Sequence, residues 1–362
     1  FKGMKIMPGV ITINGRSIGD GYPSYIVAEM SANHNQDYEQ AVQLLHAAKD
    51  SGADAVKLQT YTADTLTIDC DNKYFQIHGT LWDGRNLHDL YGEAYTPWEW
   101  HPKLKEEADR LGIDLFSSAF DTTAVTFLEN MGVPAHKVAS FEIVDLPLLR
   151  RIASTGKPII MSTGMANMSE IYEAVQTIQD GGGEQLAILK CNSGYPAKPN
   201  EMNIRTIPHL AEAFAVPVGL SDHTLGIETA VAAVALGACI IEKHFTLSRS
   251  VPGPDSAFSL EPNEFKSMVD SIRTVEAALG KIHYGTSESE TKSRGFRRSL
   301  FIVQDVKMGE VFTDSNVRSI RPGDGLHTRY LPEIIGRRAV RNITRGTPLS
   351  WDLIGTISDT IE

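Results

Sequence analysis

The chain has 362 residues, 42% hydrophobic and 22% charged, a balance that fits a folded globular protein and excludes a disordered one. Its formal net charge of −11 comes with no basic block, which argues against nucleic acid as the main partner and leaves anionic small molecules only a locally positive pocket. Cys70, Cys191 and Cys239 lack paired metal spacing, no apolar run spans a membrane, and the N-terminus lacks a signal-peptide pattern, so reduced thiols and a cytoplasmic location are expected.

Phe1 to Gly3, which precede Met4, are set aside from the fold reasoning, and Val10 to Ile18 reads as a short strand or hairpin. From there a regular alternation begins. Apolar runs predict buried strands at 24–30, 54–60, 114–120 and 136–140, then at 158–164, 186–193, 217–222 and 239–245. Segments of helical periodicity lie between them, for example YEQAVQLLHAAKDSG, TAVTFLENMG and SEIYEAVQTIQDGG, many closing on a glycine suited to a helix C-terminus. A helix over about Ile227 to Leu236 joins the last two strands, and NEFKSMVDSIRTVEAALG follows the eighth. Eight such units predict an α/β fold, a closed (β/α)₈ TIM barrel within residues 1–280; an open doubly wound sheet is the alternative. No GxGxxG follows the first strand, so dinucleotide binding has no support.

One connection, Tyr61 to Tyr95, is far longer than a strand–helix loop needs and is rich in aromatics. A long insertion on the carboxyl-end face of a barrel is expected to face substrate. After Gly280 the periodicity stops. Residues 281–297 are polar and read as a linker. From 298 to 362, short strand-like runs (SLFIVQDV, GEVFTDSNV, SIRPGDG, IIGRRAVRNI, GTPLS) predict a small β-rich domain.

In a barrel the catalytic face is the rim where the strands end. His223 closes VGLSDH and His244 closes CIIEKH, each beside a carboxylate, Asp222 and Glu242. Two neutral imidazoles on one rim are a candidate divalent-metal site with open positions, better suited to Mn²⁺ than to a closed zinc site; simple strand capping is the alternative. Lys57 and Lys137, set in otherwise apolar strands, form with Ser118, Ser140 and Ser162 a candidate phosphate cradle. Carboxylates would repel that phosphate, so a division is expected: phosphate near strands two to five, metal near strands seven, eight and Glu29. Glu29 or Glu242 could move a proton at the reacting centre. Gln59, Glu142, Ser193, Tyr195 and Ser221 lie on the same rim, and Asp255 in PGPDSAFS could accept a sugar hydroxyl.

The strings GLSDHTL, IEKHF, PGPDSAFSL, VKLQTYT, VASFE, IIMSTGM and RPGDGLH together resemble the sialic acid synthases over nearly all of the chain. The resemblance implies a barrel followed by an antifreeze-like (SAF) domain, arranged as a domain-swapped homodimer. It implies condensation of phosphoenolpyruvate with an N-acetylated amino sugar to a nine-carbon ulosonic acid and phosphate. It makes His223 and His244 the metal ligands, for Mn²⁺ with Mg²⁺ or Co²⁺ as alternatives, and Glu29 the carboxylate near the reacting centre. Lys57, Ser118, Lys137, Ser140, Ser162 and Ser221 resemble the phosphoenolpyruvate contacts. Tyr195 and Asp255 resemble sugar contacts, and Arg321 resembles an arginine offered to the sugar across the dimer. Ser118 stands where the family often has Thr, and Ser193 where it often has Asn. Within the family, SANHN, GTLWDGRNLHDLY, EAYTPWEWHP and RPGDGLH resemble the pseudaminic acid synthases, which act on 2,4-diacetamido-2,4,6-trideoxy-L-altrose. Two competing readings are a sugar-phosphate hydrolase on a metal-bearing barrel, and a carbohydrate- or ice-binding C-terminal module on an inactive barrel.

Overall fold

The computed structural model describes residues 9–79 and 82–355; Phe1 to Gly3, Thr80 and Leu81 of the insertion, and 356–362 of the expected C-terminal domain lie outside them. The chain divides after Gly280 into two compact units.

The first unit opens with a hairpin of β1 (Val10–Ile13) and β2 (Arg16–Gly19), as the opening segment predicts. Eight parallel strands then close on themselves: β3 (Tyr25–Glu29), β4 (Ala55–Thr60), β5 (Asp114–Ala119), β6 (His136–Val138), β7 (Ile159–Ser162), β8 (Leu186–Cys191), β9 (Val218–Asp222) and β10 (Ile240–His244). Pairing of β10 with β3 completes the barrel. Each strand is buried on both faces, which is why the runs read as continuously apolar. The crossover helices are α1 (Tyr38–Asp50), α2 (Ala63–Leu66), α3 (Leu87–Ala94), α4 (His101–Leu111), α5 (Thr122–Met131), α6 (Leu146–Ala153), α7 (Met168–Asp180), α8 (Thr206–Phe214), α9 (Glu228–Ala235) and α10 (Pro262–Leu279). Local chemistry sets their starts: Asp37, Asp121 and Asn167 each accept backbone N–H groups at the first turns of α1, α5 and α7. Leu148, Leu149, Ile152 and Ala153 form a buried stripe on α6, the spacing that seats a helix on a sheet. A Cβ on Gly219 would collide with the Ile240 carbonyl, so β9 and β10 approach closely around a glycine.

One expectation is corrected. The fourth strand stops at Val138, and Ser140–Val144 forms a 3₁₀ turn instead. The turn carries Ser140 and Glu142 inward over the rim rather than along a strand.

The second unit contains β11 (Ser299–Ile302) paired antiparallel with β12 (Val317–Ile320), and a one-turn helix, α11 (Leu331–Ile334). The other expected runs make only isolated bridges, such as Val306 with Ile343 and Phe301 with Pro348. Leu300, Ile302, Phe312, Val317 and Leu349 pack into its own small core. Residues 281–297 are almost entirely exposed and include a short turn, Ser293–Phe296.

Candidate active site

Strand alternation sends every second residue into the barrel, and at the carboxyl ends this gathers lysines, hydroxyls and carboxylates around one point. Lys57 Nζ lies 3.0 Å from Glu29 Oε2 and 3.4 Å from Glu242 Oε1, and donates to Ser118 Oγ at 3.2 Å. Lys137 Nζ donates to Ser162 Oγ at 2.7 Å and lies 3.8 Å from Glu242 Oε1. Ser221 Oγ donates to the same Glu242 oxygen at 3.2 Å. All seven side chains are buried.

The expected division between a phosphate half and a metal half therefore needs correcting. Glu29 and Glu242 both sit against the lysines, and Glu242 also lies within the field of His223. Asp222, adjacent in sequence to His223, is turned out of the barrel and paired with Lys243 at 2.7 Å. The cause is the period of two: Ser221 faces in, so Asp222 faces out.

Electrostatics separates the two inward carboxylates. Burial, assisted by Glu242, pushes the Glu29 carboxyl up to about 7 against the pull of Lys57. Burial would raise Glu242 too, but Lys137, Lys57 and His223 together hold it below the ordinary value. Burial lowers Lys137, whereas in Lys57 the two carboxylates outweigh burial and raise it. One carboxyl is thus poised near neutrality and the other is a fixed anion.

Ser140 and Ser193 converge on Gly164. The Gly164 N–H donates to Ser140 Oγ at 3.0 Å, and a Cβ there would collide with both hydroxyls. This hollow of small groups, two residues past the Ser162 that Lys137 holds, can take an anion. Glu142, raised to about 7 chiefly by burial, faces the same cavity, and its Oε2 has no hydrogen-bond partner.

The imidazoles lie with ring centroids 5.3 Å apart, and Cys191 Sγ stands 3.8 Å from both His223 Nδ1 and Ser193 Oγ. His223 Nδ1 is 2.8 Å from the Asn192 carbonyl, which only accepts, so Nδ1 carries the proton and Nε2 presents its lone pair. His244 Nδ1 is buried without a hydrogen-bond partner, Asp255 Oδ2 lying 3.9 Å away. Burial and then His223 keep His244 well below the usual imidazole range, hence neutral. Two imidazoles, His244 neutral and His223 raised, against the effect of burial, by Cys191 and then the Asn192 carbonyl, fit a divalent metal that displaces the proton of His223. No cluster of three or more His, Cys, Asp or Glu ligands occurs among the described residues, so the remaining positions would fall to substrate and water. Tyr195 packs on His223 (4.4 Å) and Phe258 on His244 (4.9 Å), fixing the rings.

Above the rim lies a cavity of about 710 Å³. The insertion supplies much of its wall through Leu66, Ile77, Trp82, Leu87 and Tyr91, as its length predicts. Trp82 Nε1 donates to the Pro254 carbonyl at 3.3 Å, tying the insertion to the Asp255 loop. Ser31 escaped notice in the sequence. It donates to Asp255, accepts from Gln59 Nε2 at 2.8 Å, and adopts a left-handed backbone (φ 46°). Gln59 also donates to Glu29 Oε1 at 2.9 Å, so one network runs from the reacting carboxylate to the Asp255 loop. The SANHN string contains Ser31 and was the available signal. Arg321 lies in the second unit, exposed, just after β12.

The NeuB family pattern matches residues 44–284, and the SAF domain pattern matches 297–355. The pseudaminic acid synthase of Helicobacter pylori is 46% identical over 334 residues, 91% of this chain and 97% of that protein. The N,N'-diacetyllegionaminic acid synthase of Legionella pneumophila is 38% identical over 348 residues, 94% of this chain and 98% of that protein. Among solved structures, the N-acetylneuraminic acid synthetase of Leptospira borgpetersenii, crystallised with citrate, superposes with a TM-score of 0.71 at 31% identity, covering 80% of this chain and 96% of that one.

Proposed function

The chain belongs to the NeuB family, and from that membership we propose that it acts as a pseudaminic acid synthase. It condenses phosphoenolpyruvate with 2,4-diacetamido-2,4,6-trideoxy-L-altrose, giving pseudaminic acid and phosphate. The observation that carries this reading is the buried Lys57–Lys137 centre with its serine hydroxyls, facing two free imidazoles beneath an aromatic-walled cavity. The 46% identity to a pseudaminic acid synthase favours the altrose over the legionaminic-type sugar.

Lys57, Lys137 and the hydroxyls of Ser118, Ser140, Ser162 and Ser221 hold the phosphate and carboxylate of phosphoenolpyruvate. Tyr195, Asp255 and the insertion seat the open-chain sugar. His223 and His244 would hold a divalent ion, Mn²⁺ by preference, which as a Lewis acid would polarise the sugar aldehyde. C3 of phosphoenolpyruvate attacks the aldehyde carbon, and the aldehyde oxygen takes a proton from neutral Glu29. Water adds to the oxocarbenium-like C2 while Glu29, poised near neutrality, accepts its proton. The tetrahedral intermediate then expels phosphate by C–O cleavage, leaving the C2 ketone. Preorganised lysines stabilise the charge throughout, and burial of the centre keeps their field strong. A homodimer in which Arg321 reaches the partner's sugar, and a cytoplasmic setting, complete the proposal. No helix among the described residues is long and apolar enough to cross a membrane.

The test is phosphate release with Mn²⁺, phosphoenolpyruvate and three separate sugars: the altrose, its legionaminic-type mannose counterpart and N-acetylmannosamine. Turnover confined to the altrose is expected, and turnover with either other sugar instead would overturn the subgroup while keeping the chemistry.

A further inference from the structure

Beneath the rim, on the outer side of β9 and β10, lies a fully buried ion pair that the reaction above does not use. Lys243 and Asp222 are register partners on the two strands, and their side chains meet at 2.7 Å with no exposure. The β9–β10 register runs no further than this pair, although His223 and His244 each stand one residue beyond it. Past that point, contacts fasten the His223 backbone on its β8 side, where the Ala197 N–H donates to the His223 carbonyl at 2.9 Å. On the β10 side the link is Lys243. Its Nζ also donates to the Thr224 carbonyl at 2.6 Å, while Asp222 Oδ1 accepts from Thr224 N at 2.9 Å and Thr224 Oγ1 at 2.8 Å. One ammonium thus grips residues 222 and 224 on either side of His223 from the residue preceding His244.

We propose that the Lys243–Asp222 pair is a positioning clamp that sets the separation of the two imidazoles and thereby the affinity for the divalent ion. This rests on the metal reading above. Two neighbouring strands deliver the two ligands, so a small shift of one strand end displaces one nitrogen relative to the other. Supporting partners of this kind carry about 10- to 100-fold in metal affinity. The phosphoenolpyruvate cradle, built largely on β4 to β7, should be indifferent to the clamp.

The experiment compares wild type, Lys243→Met and Lys243→Met/Asp222→Leu as full chains. Exchanging a buried ion pair for apolar groups often leaves stability intact, so the double variant guards against misfolding. Three quantities are read: Mn²⁺ binding, from loss of the free-ion electron paramagnetic resonance signal; phosphoenolpyruvate affinity, from intrinsic fluorescence; and, in metal-free protein, the hydrogen exchange of the His223 Nδ1–H by nitrogen-15 NMR. The expected result is Mn²⁺ binding weakened about 10- to 100-fold with phosphoenolpyruvate affinity unchanged and His223 exchange accelerated. Mn²⁺ affinity within about twofold of wild type in a folded double variant would overturn the clamp. So would equal loss of both affinities, or unchanged His223 exchange. Absence of Mn²⁺ binding by wild type would instead sink the metal reading, and the exchange measurement would still judge the clamp.

Discussion

Lys57 Nζ lies 3.0 Å from Glu29 Oε2 with both side chains sealed from solvent, a cation held against a carboxyl that burial pushes up to about 7. The pair is asymmetric by design of its surroundings: Glu242 reinforces the lysine charge and opposes the ionisation of Glu29. Replacing Lys57 by Met should leave two buried carboxylates facing each other. Loss of one partner of a buried pair costs about 3–5 kcal/mol, and loss of a preorganised charge about 10²–10³ in rate. Urea denaturation and phosphate release check the two effects separately.

Glu142 offers a pH test away from the imidazoles. Its carboxyl is raised from 4.5 to about 7, with burial the largest cause and Lys137 and Lys57 pulling the other way. The unfolded chain therefore releases this proton first. Stability contributed by the neutral form is present below 4.5 and is lost as pH rises towards about 7. Glu142→Gln should flatten that part of the stability–pH curve, read as thermal midpoints. In the same variant, the rise in KM for phosphoenolpyruvate expected above pH 7, where an ionised Glu142 repels the substrate, should disappear.

Metal removal should divide the site in two. Treatment with a chelator is expected to abolish turnover, and added Mn²⁺ to restore it, while phosphoenolpyruvate still binds to the lysine centre. His223→Ala should lose turnover that Mn²⁺ does not restore. Calorimetry of phosphoenolpyruvate binding with and without metal decides whether the halves are separable.

Trp82 should govern the sugar and not phosphoenolpyruvate. Its ring lies 6.0 Å from Tyr195, and its N–H ties the insertion to the Pro254 carbonyl. Trp82→Ala is expected to raise the sugar KM about tenfold, the scale of a lost apolar contact of 1–3 kcal/mol, with the phosphoenolpyruvate KM unchanged. Steady-state kinetics varying each substrate in turn measures it.

The proposed dimer yields a complementation test. If Arg321 serves the partner's sugar, mixing inactive Arg321→Ala with inactive Lys57→Met should restore part of the activity after subunit exchange. Continued silence of the mixture, or a monomeric mass in light scattering, would remove Arg321 from the active site.

The barrel was legible because both faces of every strand are buried, which leaves uninterrupted apolar runs between amphipathic helices. Residues at strand ends were legible for the same reason: Lys57 and Lys137 stand out in such runs. Orientation was less so. His223 and Asp222 are neighbours in sequence but face opposite sides of the strand, and a list of rim residues does not separate them. Ser31 was hidden for a different reason. Its role depends on meeting Asp255, 224 residues away, and on a left-handed turn that no local pattern announces. Gly164 was hidden because its contribution is the absence of a side chain between two serines. The second unit yielded least, since most of its apolar runs make single bridges rather than ladders.

In the proposed reaction phosphoenolpyruvate supplies a carbon nucleophile and loses phosphate from carbon. The most direct test places oxygen-18 in the bridging C–O–P position of phosphoenolpyruvate and follows turnover with the altrose by mass spectrometry. The heavy oxygen is expected to leave with phosphate, and the nine-carbon product to carry none. Unlabelled phosphate, with the label kept on carbon, would mean cleavage at phosphorus and would contradict the loss of phosphate from carbon.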